Sequence, residues 1–320
     1  MTLPTLPLEL WKQIAACVEV ARRPSLCAFS VTSKVCHAAS TFLSYQQINI
    51  VVHNREGLRR DADRLLEAFS RTDSTRHVQR IIIKGALRLD AKKSNSNSQK
   101  PWWIESGLEE ILENEEPIYY GDRHVVYDEP VIEKLSEEDM AWAPMVSLLQ
   151  AIPHLKDLIY DCQNQFPPSL LKILHEQHPQ CRLHHLTFRF RTFLWGVPYP
   201  YEMELALSPC LYRVKVACGW RDTDGDDDFN LEAIMELASG LAPNLKEVIV
   251  LGLAPMLANR HMRSRDSWQS LPGYSSKPVG SLTFLLLRGY SALDTPTLLQ
   301  NWARHTDFSC LKHLTLGGVL

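Results

Sequence analysis

The chain has 320 residues, of which 45% are hydrophobic and 22% are charged, and its formal net charge is −3. This balance is ordinary for a folded globular protein and argues against global disorder. The negative net charge argues against a protein that works by neutralising the phosphates of nucleic acid. The longest apolar runs are far too short to span a bilayer, so we expect no nucleic-acid and no membrane partner.

The cysteines and the start of the sequence bear on the cellular compartment. No two of the eight cysteines form a C-x-x-C pair; they are Cys17, Cys27, Cys36, Cys162, Cys181, Cys210, Cys218 and Cys310. Scattered cysteines, in a chain with no signal-like apolar run near its start, are typical of reduced and mostly buried thiols. We therefore expect a cytoplasmic or nuclear location, or both.

The first predicted elements are two or three short helices between residues 6 and 37. A helical apolar face formed by Trp11, Ile14, Ala15 and Val18 follows a proline near its start. A second apolar set follows, made of Leu26, Phe29 and Val31. These helices hold too few apolar residues for a core of their own, which predicts a module that a partner completes.

This stretch resembles an F-box, in a style similar to the F-box proteins of filamentous fungi. The matching residues are Leu6, Pro7, Glu9, Leu10, Ile14, Ser25, Leu26, Phe29, Val31, Ser33 and Lys34. The sequence departs from the family pattern at Thr32, where many members carry Val, at Cys36, where Trp or Phe is common, and at Ser25, where an acidic residue is common. The alternative is an unrelated helical cap on the domain that follows.

The resemblance implies a partner and a binding surface. In the family, these helices bind a Skp-type adaptor, which links them to a cullin. The resemblance therefore implies that the adaptor is bound by Leu6, Pro7, Leu10, Ile14, Leu26, Phe29, Val31 and Lys34. Apolar packing would supply most of the energy, at roughly 1.5–3 kcal/mol per fully buried side chain, and Lys34 would steer the adaptor or fix its register.

A three-position apolar pattern recurs along the rest of the chain and predicts strands. Two variable residues separate its first and second positions, and one residue separates its second and third. The copies are Tyr45/Ile48/Ile50, Val78/Ile81/Ile83, Leu155/Leu158/Tyr160, Leu183/Leu186/Phe188, Leu211/Val214/Val216, Leu245/Val248/Val250, Leu282/Leu285/Leu287 and Leu311/Leu314/Leu316. The second and third positions alternate, as in a strand with one buried face.

The spacing of the copies predicts a repeat fold. Apart from one gap of 77 residues, the copies lie 28 to 37 residues apart, which leaves room for one helix and two turns. Helices are predicted around Leu58 to Phe69, after Asn230 as far as Gly240, and after Thr295–Pro296. We predict an α/β chain in which a helical F-box (residues 1–44) precedes a leucine-rich-repeat-like α/β solenoid (45–320). The alternative is an ordinary doubly wound α/β domain.

The long gap between the second and third copies has an unusual composition. It begins with a polar run of low complexity at 92–100, and residues 105–139 carry thirteen acidic and two basic side chains. Such segments bury too little apolar surface to offset their ordering entropy. We expect a largely irregular insertion at about 90–138, with short ordered pieces at Trp102–Trp103 and Val125–Val126; the gap is also long enough for a hidden copy.

Several motifs could indicate an enzyme or a metal site, but each lacks a required part. The acidic run after Asp222 lacks the glycine and the glutamate of an EF-hand. The segment around Ser291 has Leu293 where a nucleophile elbow needs glycine. Around Cys181, a set of histidines lacks a matching cysteine pair; it comprises His175, His178, His184 and His185. Neither a P-loop nor a G-x-G-x-x-G is present, so we expect no cofactor and no catalytic residues.

The sequence thus predicts a non-catalytic substrate receptor of a Skp–cullin–F-box ubiquitin ligase, whose repeats hold an unknown protein target. The rival hypotheses are a repeat scaffold that binds partners without ubiquitination and a hydrolase that uses Ser291. Trp195, Tyr199 and Tyr201 follow a predicted strand and serve either packing or binding. Because the sequence stops at or just after the last copy, we also expect the final strand to need a cover on its open edge.

Overall fold

The fold is described from a computed structural model of the whole chain. It describes residues 6–21, 23–72, 74–89, 132–191, 198–219, 227–252, 267–275, 279–290 and 294–318. Most of the predicted insertion, including Trp102–Trp103 and Val125–Val126, lies outside these ranges, and so do Trp195, residues 222–226 and Ser291.

The described residues form an α/β structure. Its helices are α1 (Leu8–Ala21), α2 (Arg23–Ser30), α3 (Lys34–Gln46), α4 (Arg55–Thr72), α5 (Glu137–Met140), α6 (Ala143–Gln150), α7 (Pro168–Gln177), α8 (Pro200–Ala206), α9 (Asn230–Glu236) and α10 (Thr295–His305). Its strands are β1 (Gln47–Asn54), β2 (Arg80–Arg88), β3 (Asp157–Cys162), β4 (Arg182–His185), β5 (Leu211–Cys218), β6 (Glu247–Gly252), β7 (Phe284–Tyr290) and β8 (His313–Gly318).

All the described strands join one parallel sheet in the order in which they occur along the chain. The predicted apolar pattern sets most of the register: Ile81 of β2 lies opposite Leu158 of β3, and Val248 of β6 lies opposite Leu285 of β7. Because parallel neighbours need a crossover, each strand from β1 to β7 is followed by a segment that returns the chain to the same end of the sheet.

One face of the sheet and the inner sides of the crossover helices share a single hydrophobic core. On α4, the buried residues Leu58, Ala62 and Phe69 turn inward, while the rest of the helix is largely charged. Asn54 accepts a hydrogen bond from the Gly57 N–H at 2.7 Å and so caps the start of α4. The other face of the sheet is formed by the alternate strand residues and is called the outer face below.

The predicted helix ends are shifted by about one residue. Asp294, and not Thr295, precedes the first residue of α10, and Pro296 lies in its first turn. Asn230 is the first residue of α9 and does not cap it. Beyond α9, Gly240 adopts a φ of 113° in the π-turn Leu237–Leu241, which fits its predicted role as a helix terminator.

The fourth copy of the pattern differs from its prediction. The strand β4 uses Leu183 and His185 as its buried pair, opposite Leu158 and Tyr160 of β3. A register shift between Leu183 and His184 restores the match to β5. The second and third positions of the pattern are thus Leu183 and His185, three residues before the predicted Leu186 and Phe188. The prediction missed this placement because the pattern required an apolar residue where the buried histidine stands.

The long gap does not add a strand between its neighbours, since β2 pairs directly with β3 from Arg80 to Gly85. The end of the gap is described from residue 132 onward. Ile132 is buried, and its N–H donates to the Gln165 side chain at 2.8 Å. Within the predicted insertion, the last residues begin α5 at Glu137, whose N-cap is Ser136.

Candidate functional site

The candidate site begins with α1, α2 and α3, which pack against one another as an N-terminal helical module (Leu8–Gln46). The carbonyl of Pro7 accepts the Leu10 and Trp11 N–H groups at the start of α1. Ser33 caps α3 by accepting from the Cys36 N–H at 3.1 Å. The sequence therefore fixes both helix starts with residues of the predicted motif.

Five of the module's described side chains are buried. They are Ala15, Leu26, Cys36, Ala39 and Ser40. The rings of Trp11 and Phe29 approach to 6.1 Å between α1 and α2. Of the residues predicted to bind an adaptor, Leu26 is only 1% exposed and Phe29 is half-buried, so Leu26 belongs to the inside of the helical module.

The outside of the module carries several large exposed apolar side chains. Among the residues predicted to bind an adaptor, Leu6, Leu10 and Ile14 are 38–42% exposed and Val31 is 83% exposed. Pro7 and Lys34 are also exposed. Leu10 and Ile14 are four residues apart and so share one face of α1. Large apolar groups left in water in this way mark a surface that gains free energy when covered.

Besides Phe42, which is 38% exposed and lies against His77, two large exposed apolar residues of the module were not predicted as part of the site. Leu8 is 39% exposed and Val35 is 45% exposed. Leu8 lies within the predicted motif, and Val35 directly follows Lys34, so proximity to motif residues was the available signal. Exposure itself is set by how the three helices pack, which the sequence pattern does not show.

The helical module continues into the sheet without a linker, because α3 ends at Gln46 and β1 begins at Gln47. The Gln46 carbonyl accepts the Gln79 N–H at 3.0 Å. The ring of Phe42 meets the edge of His77 at 5.5 Å, and Tyr45 meets Phe69 at 6.0 Å. These contacts hold α3 against the first crossover and restrict rotation of the module relative to the sheet.

A second candidate surface is the outer face, where charged residues of neighbouring strands meet. Asp157 of β3 accepts from Arg182 Nε at 2.8 Å and from His184 Nε2 at 3.1 Å, both on β4, and from Arg80 of β2 at 3.3 Å. Burial alone would raise the pKa of Asp157, but the His184 hydrogen bond and the charges of Arg182 and Arg80 overcome it and lower the pKa to about 2.

Two further charge groups follow on the outer face. Arg213 of β5 forms an ion pair with Glu247 of β6. Burial raises the pKa of the Asp161 carboxyl, and the charges of Lys215 and Lys84 oppose that shift. The cations of this face are therefore partly matched by carboxylates from adjoining strands.

The residues considered for metal or enzyme chemistry are engaged in structural contacts. His175 Nε2 lies 2.8 Å from Ser208 Oγ, and His178 Nε2 lies 3.0 Å from the Leu149 carbonyl. His185 is buried, which lowers its pKa to about 3. Burial also raises the pKa of the Cys181 thiol. The described parts of the chain contain no group of three or more His, Cys, Asp or Glu side chains arranged to hold a metal ion.

Tyr199 and Tyr201, which the sequence suggested for packing or binding, differ in their exposure to solvent. Tyr201 is buried, and its hydroxyl donates to the Phe166 carbonyl. Tyr199 precedes α8 and is 38% exposed. Of this pair, only Tyr199 presents a ring to solvent.

None of the described helices is both long and apolar enough to cross a bilayer. Comparison of the chain with protein-family models, with curated proteins and with solved structures found no match.

Proposed function

We propose that the chain is the substrate-recognition subunit of a Skp–cullin–F-box ubiquitin ligase. The N-terminal helices bind a Skp-type adaptor and through it a cullin, and the remainder of the chain holds a protein target. The protein itself performs no chemistry. It raises the effective concentration of the target near the ubiquitin-charged enzyme.

The observation that carries the proposal is the exposure of Leu10, Ile14 and Val31 on the helical module and of Leu6 directly before it. The F-box resemblance assigns these same residues to the adaptor contact. A helical module with exposed apolar side chains gains stability from a partner that covers them. Leu26 supports this surface from within, because it is buried among the helices.

We also propose the finer architecture, a helical F-box (1–44) followed by a leucine-rich-repeat-like solenoid (45–320). The last helix of the module ends at Gln46, two residues from the proposed boundary. The sequential order of parallel strands and the shared register are what stacked strand–helix units produce. The junction of α3 and β1 would hold a target in a set direction relative to the adaptor.

The proposal is tested by co-purification with a Skp-type adaptor. Ile14→Asp places a charge where the adaptor would exclude water, and we expect binding to weaken at least about a hundredfold. The paired change Leu6→Ala with Pro7→Ala should weaken it as well. Leu207→Asp is the matched control, because Leu207 is 37% exposed but lies at the end of α8, outside the module.

Circular dichroism and the unfolding midpoint of each variant establish that it folds. If both module variants bind the adaptor as the unchanged chain does, the proposal is wrong. If the unchanged chain binds no adaptor at all, the alternative of a repeat scaffold that holds partners without ubiquitination replaces it.

A further inference from the structure

The outer face of the sheet forms continuous rows of side chains, because the strands are parallel and in register. One row crosses all the described strands and consists of Asn49, Ile82, Ile159, His184, Arg213, Glu247, Phe284 and His313. The next row begins with Val51, Lys84 and Asp161 and continues on later strands as Lys215, Ile249, Leu286 and Thr315. A third row contains Leu251 and Arg288.

Positive charge exceeds negative charge on this face, although the whole chain carries a net charge of −3. The basic side chains of the rows and of the Asp157 cluster are Arg80, Lys84, Arg182, Arg213, Lys215 and Arg288, and the acidic ones are Asp157, Asp161 and Glu247. Two arginines share Asp157 and two lysines flank Asp161. Arg288 forms no ion pair within the described ranges. An approaching molecule therefore meets uncompensated cations.

Apolar side chains lie between these cations. Ile249, Leu251 and Leu286 are half-buried and occupy neighbouring positions on β6 and β7. On β5, Lys215 lies opposite Ile249 of β6. On β7, at the other side of β6, Arg288 lies two residues beyond Leu286 and opposite Leu251. With strands about 4.8 Å apart and a rise of about 3.3 Å per residue, the Lys215 and Arg288 backbones are about 12 Å apart.

We propose that the outer face binds an extended acidic segment of a partner protein, with two carboxylates four residues apart and an apolar side chain midway between them, because alternate side chains of an extended chain point to the same side. An extended chain covers a similar distance in four residues, so its carboxylates would reach Lys215 and Arg288 while its apolar side chain rests on Ile249 and Leu286. This inference rests on the proposed function, for which it names the class of target.

The same face suits a nucleic acid less well. Three carboxylates lie among its cations, and Asp157 and Glu247 already engage three of the arginines. A phosphate at every nucleotide would bring some of its charges against those carboxylates, whereas spaced carboxylates can meet the cations and avoid them. A phosphate backbone would also leave the apolar side chains uncovered. An acidic peptide with apolar residues satisfies both features.

The test is a selection of random dodecapeptides on the full-length chain, followed by fluorescence anisotropy with the labelled selected peptides. We expect enrichment of the spaced carboxylates with Leu, Ile or Phe between them. Lys215→Glu combined with Arg288→Glu should weaken binding at least about tenfold. Raising NaCl from about 50 to about 300 mM should also weaken it. The matched control is Arg64→Glu with Lys172→Glu, on the outer sides of α4 and α7, which should change affinity less than about twofold.

Selection of no peptide, of peptides without the spaced carboxylates, or equal weakening in the control would overturn the inference. So would a 12-nucleotide single-stranded DNA that binds as tightly as the selected peptides and loses affinity in the Lys215/Arg288 variant. Adaptor co-purification is measured on the same variants and should be unchanged. If the adaptor fails to bind the unchanged chain while the peptide result holds, the ligase proposal fails and the acidic-segment inference stands.

Discussion

Two asparagine side chains each form a pair of hydrogen bonds to the backbone of a residue from an earlier repeat unit. Asn164, after β3, accepts from the Leu87 N–H at 2.6 Å and donates to the Leu87 carbonyl at 3.1 Å. Asn230, after β5, makes the same pair of bonds to Phe190, at 2.8 and 3.2 Å. Each side-chain amide therefore satisfies both the N–H and the carbonyl of one residue, Leu87 near the end of β2 or Phe190 after β4.

Replacing Asn230 should be costly. Asn230→Ala leaves both Phe190 backbone groups without their partner, and both residues are buried. We expect the free energy of unfolding to fall by about 2–3 kcal/mol in denaturant titrations. Asn244→Ala is the control, because exposed Asn244 makes a single bond to the Pro209 carbonyl; its cost should stay below about 1 kcal/mol. Equal costs for both variants would refute the bridging role.

His185 makes the fold sensitive to acid. Its ring packs against Tyr160, Phe166 and Phe188, and burial lowers its pKa to about 3 from an ordinary value of 6.5. The folded state therefore keeps the ring neutral at pH values where the unfolded chain binds a proton. Stability from this group is complete above the unfolded pKa and is lost as the pH falls from about 6.5 towards 3.

His185→Leu should reduce that pH dependence. Between pH 7 and pH 5, protonation of the unfolded histidine would cost the unchanged chain about 2 kcal/mol, and leucine removes this contribution. The measurement is the difference in unfolding free energy between the two pH values for each protein. An exposed-histidine variant, His154→Leu, serves as the control. Identical pH slopes for His185→Leu and the unchanged chain would contradict the assignment.

At the scale of the elements, two glycines allow strands to shift register near their ends. Gly85 in β2 has a φ of 113°, and Gly289 in β7 has a φ of 84°. The pairing shifts next to each of them, between Val52 and Asn54 in the strand beside Gly85, and between Arg288 and Tyr290 around Gly289. A positive φ and a close neighbouring backbone both require glycine there.

Comparison of Gly85→Ala with Gly273→Ala separates the effect of a positive φ from the effect of a close neighbouring backbone. A Cβ at Gly85 would lie 2.2 Å from the Val52 carbonyl oxygen, so the strands would have to move apart. Gly273 also has a positive φ, of 81°, but its Cβ would meet nothing within 4 Å. We expect thermal and denaturant unfolding to show a loss of about 3 kcal/mol or more for Gly85→Ala and about 1–2 kcal/mol for Gly273→Ala. Similar losses would mean that φ strain alone decides.

The fourth strand shows that an apolar pattern misplaces a strand when a buried position is occupied by histidine. The copies in the other strands place their second and third positions on the strand, as the structure has them. In the fourth copy, Leu186 and Phe188 fit the pattern, yet β4 ends at His185. A buried neutral histidine packs among aromatic rings as an apolar residue would, and composition alone does not distinguish it from an exposed one.

For the whole molecule, the repeated pattern predicted an α/β chain and the positions of all the described strands except β4, because burial of one strand face imposes a period of two. Two points about the strand order were left open: the doubly wound alternative has a different order, and the long gap had room for a hidden copy between β2 and β3. The direct pairing of β2 with β3 depends on contacts remote in sequence. The rows of the outer face follow from the observed order, so Lys215 and Arg288 are recognised as neighbours of one apolar patch only once that order is known.

For the candidate adaptor surface, the sequence predicted which residues belong to the helical module but not which of them are exposed. The residues of the helical module came from a motif, so their positions were available from the sequence. Which of them are exposed depends on packing of the three helices: Ile14 and Val31 lie outside, and Leu26 lies inside. A helical apolar pattern predicts that a face exists, but not whether the protein itself covers it.

The edge of the sheet at β8 leads to the last prediction. Leu314 and Leu316 are 44% and 45% exposed, whereas Leu285 and Leu287, their partners on β7, are at most 2% exposed. Within the described residues, β8 pairs only with β7. An apolar edge strand with free backbone groups favours pairing with another chain.

We therefore expect the 320-residue chain to self-associate with rising concentration in sedimentation velocity experiments. Leu314→Lys and Leu316→Lys should shift it towards the monomer without unfolding the protein, because nearly half of each side chain is already exposed to water and lysine blunts an edge strand. Leu207→Lys changes an equally apolar, exposed position away from β8 and should leave self-association unchanged. A chain that stays monomeric at every concentration, or a Leu207 variant that dissociates as well, would show that β8 is not the contact.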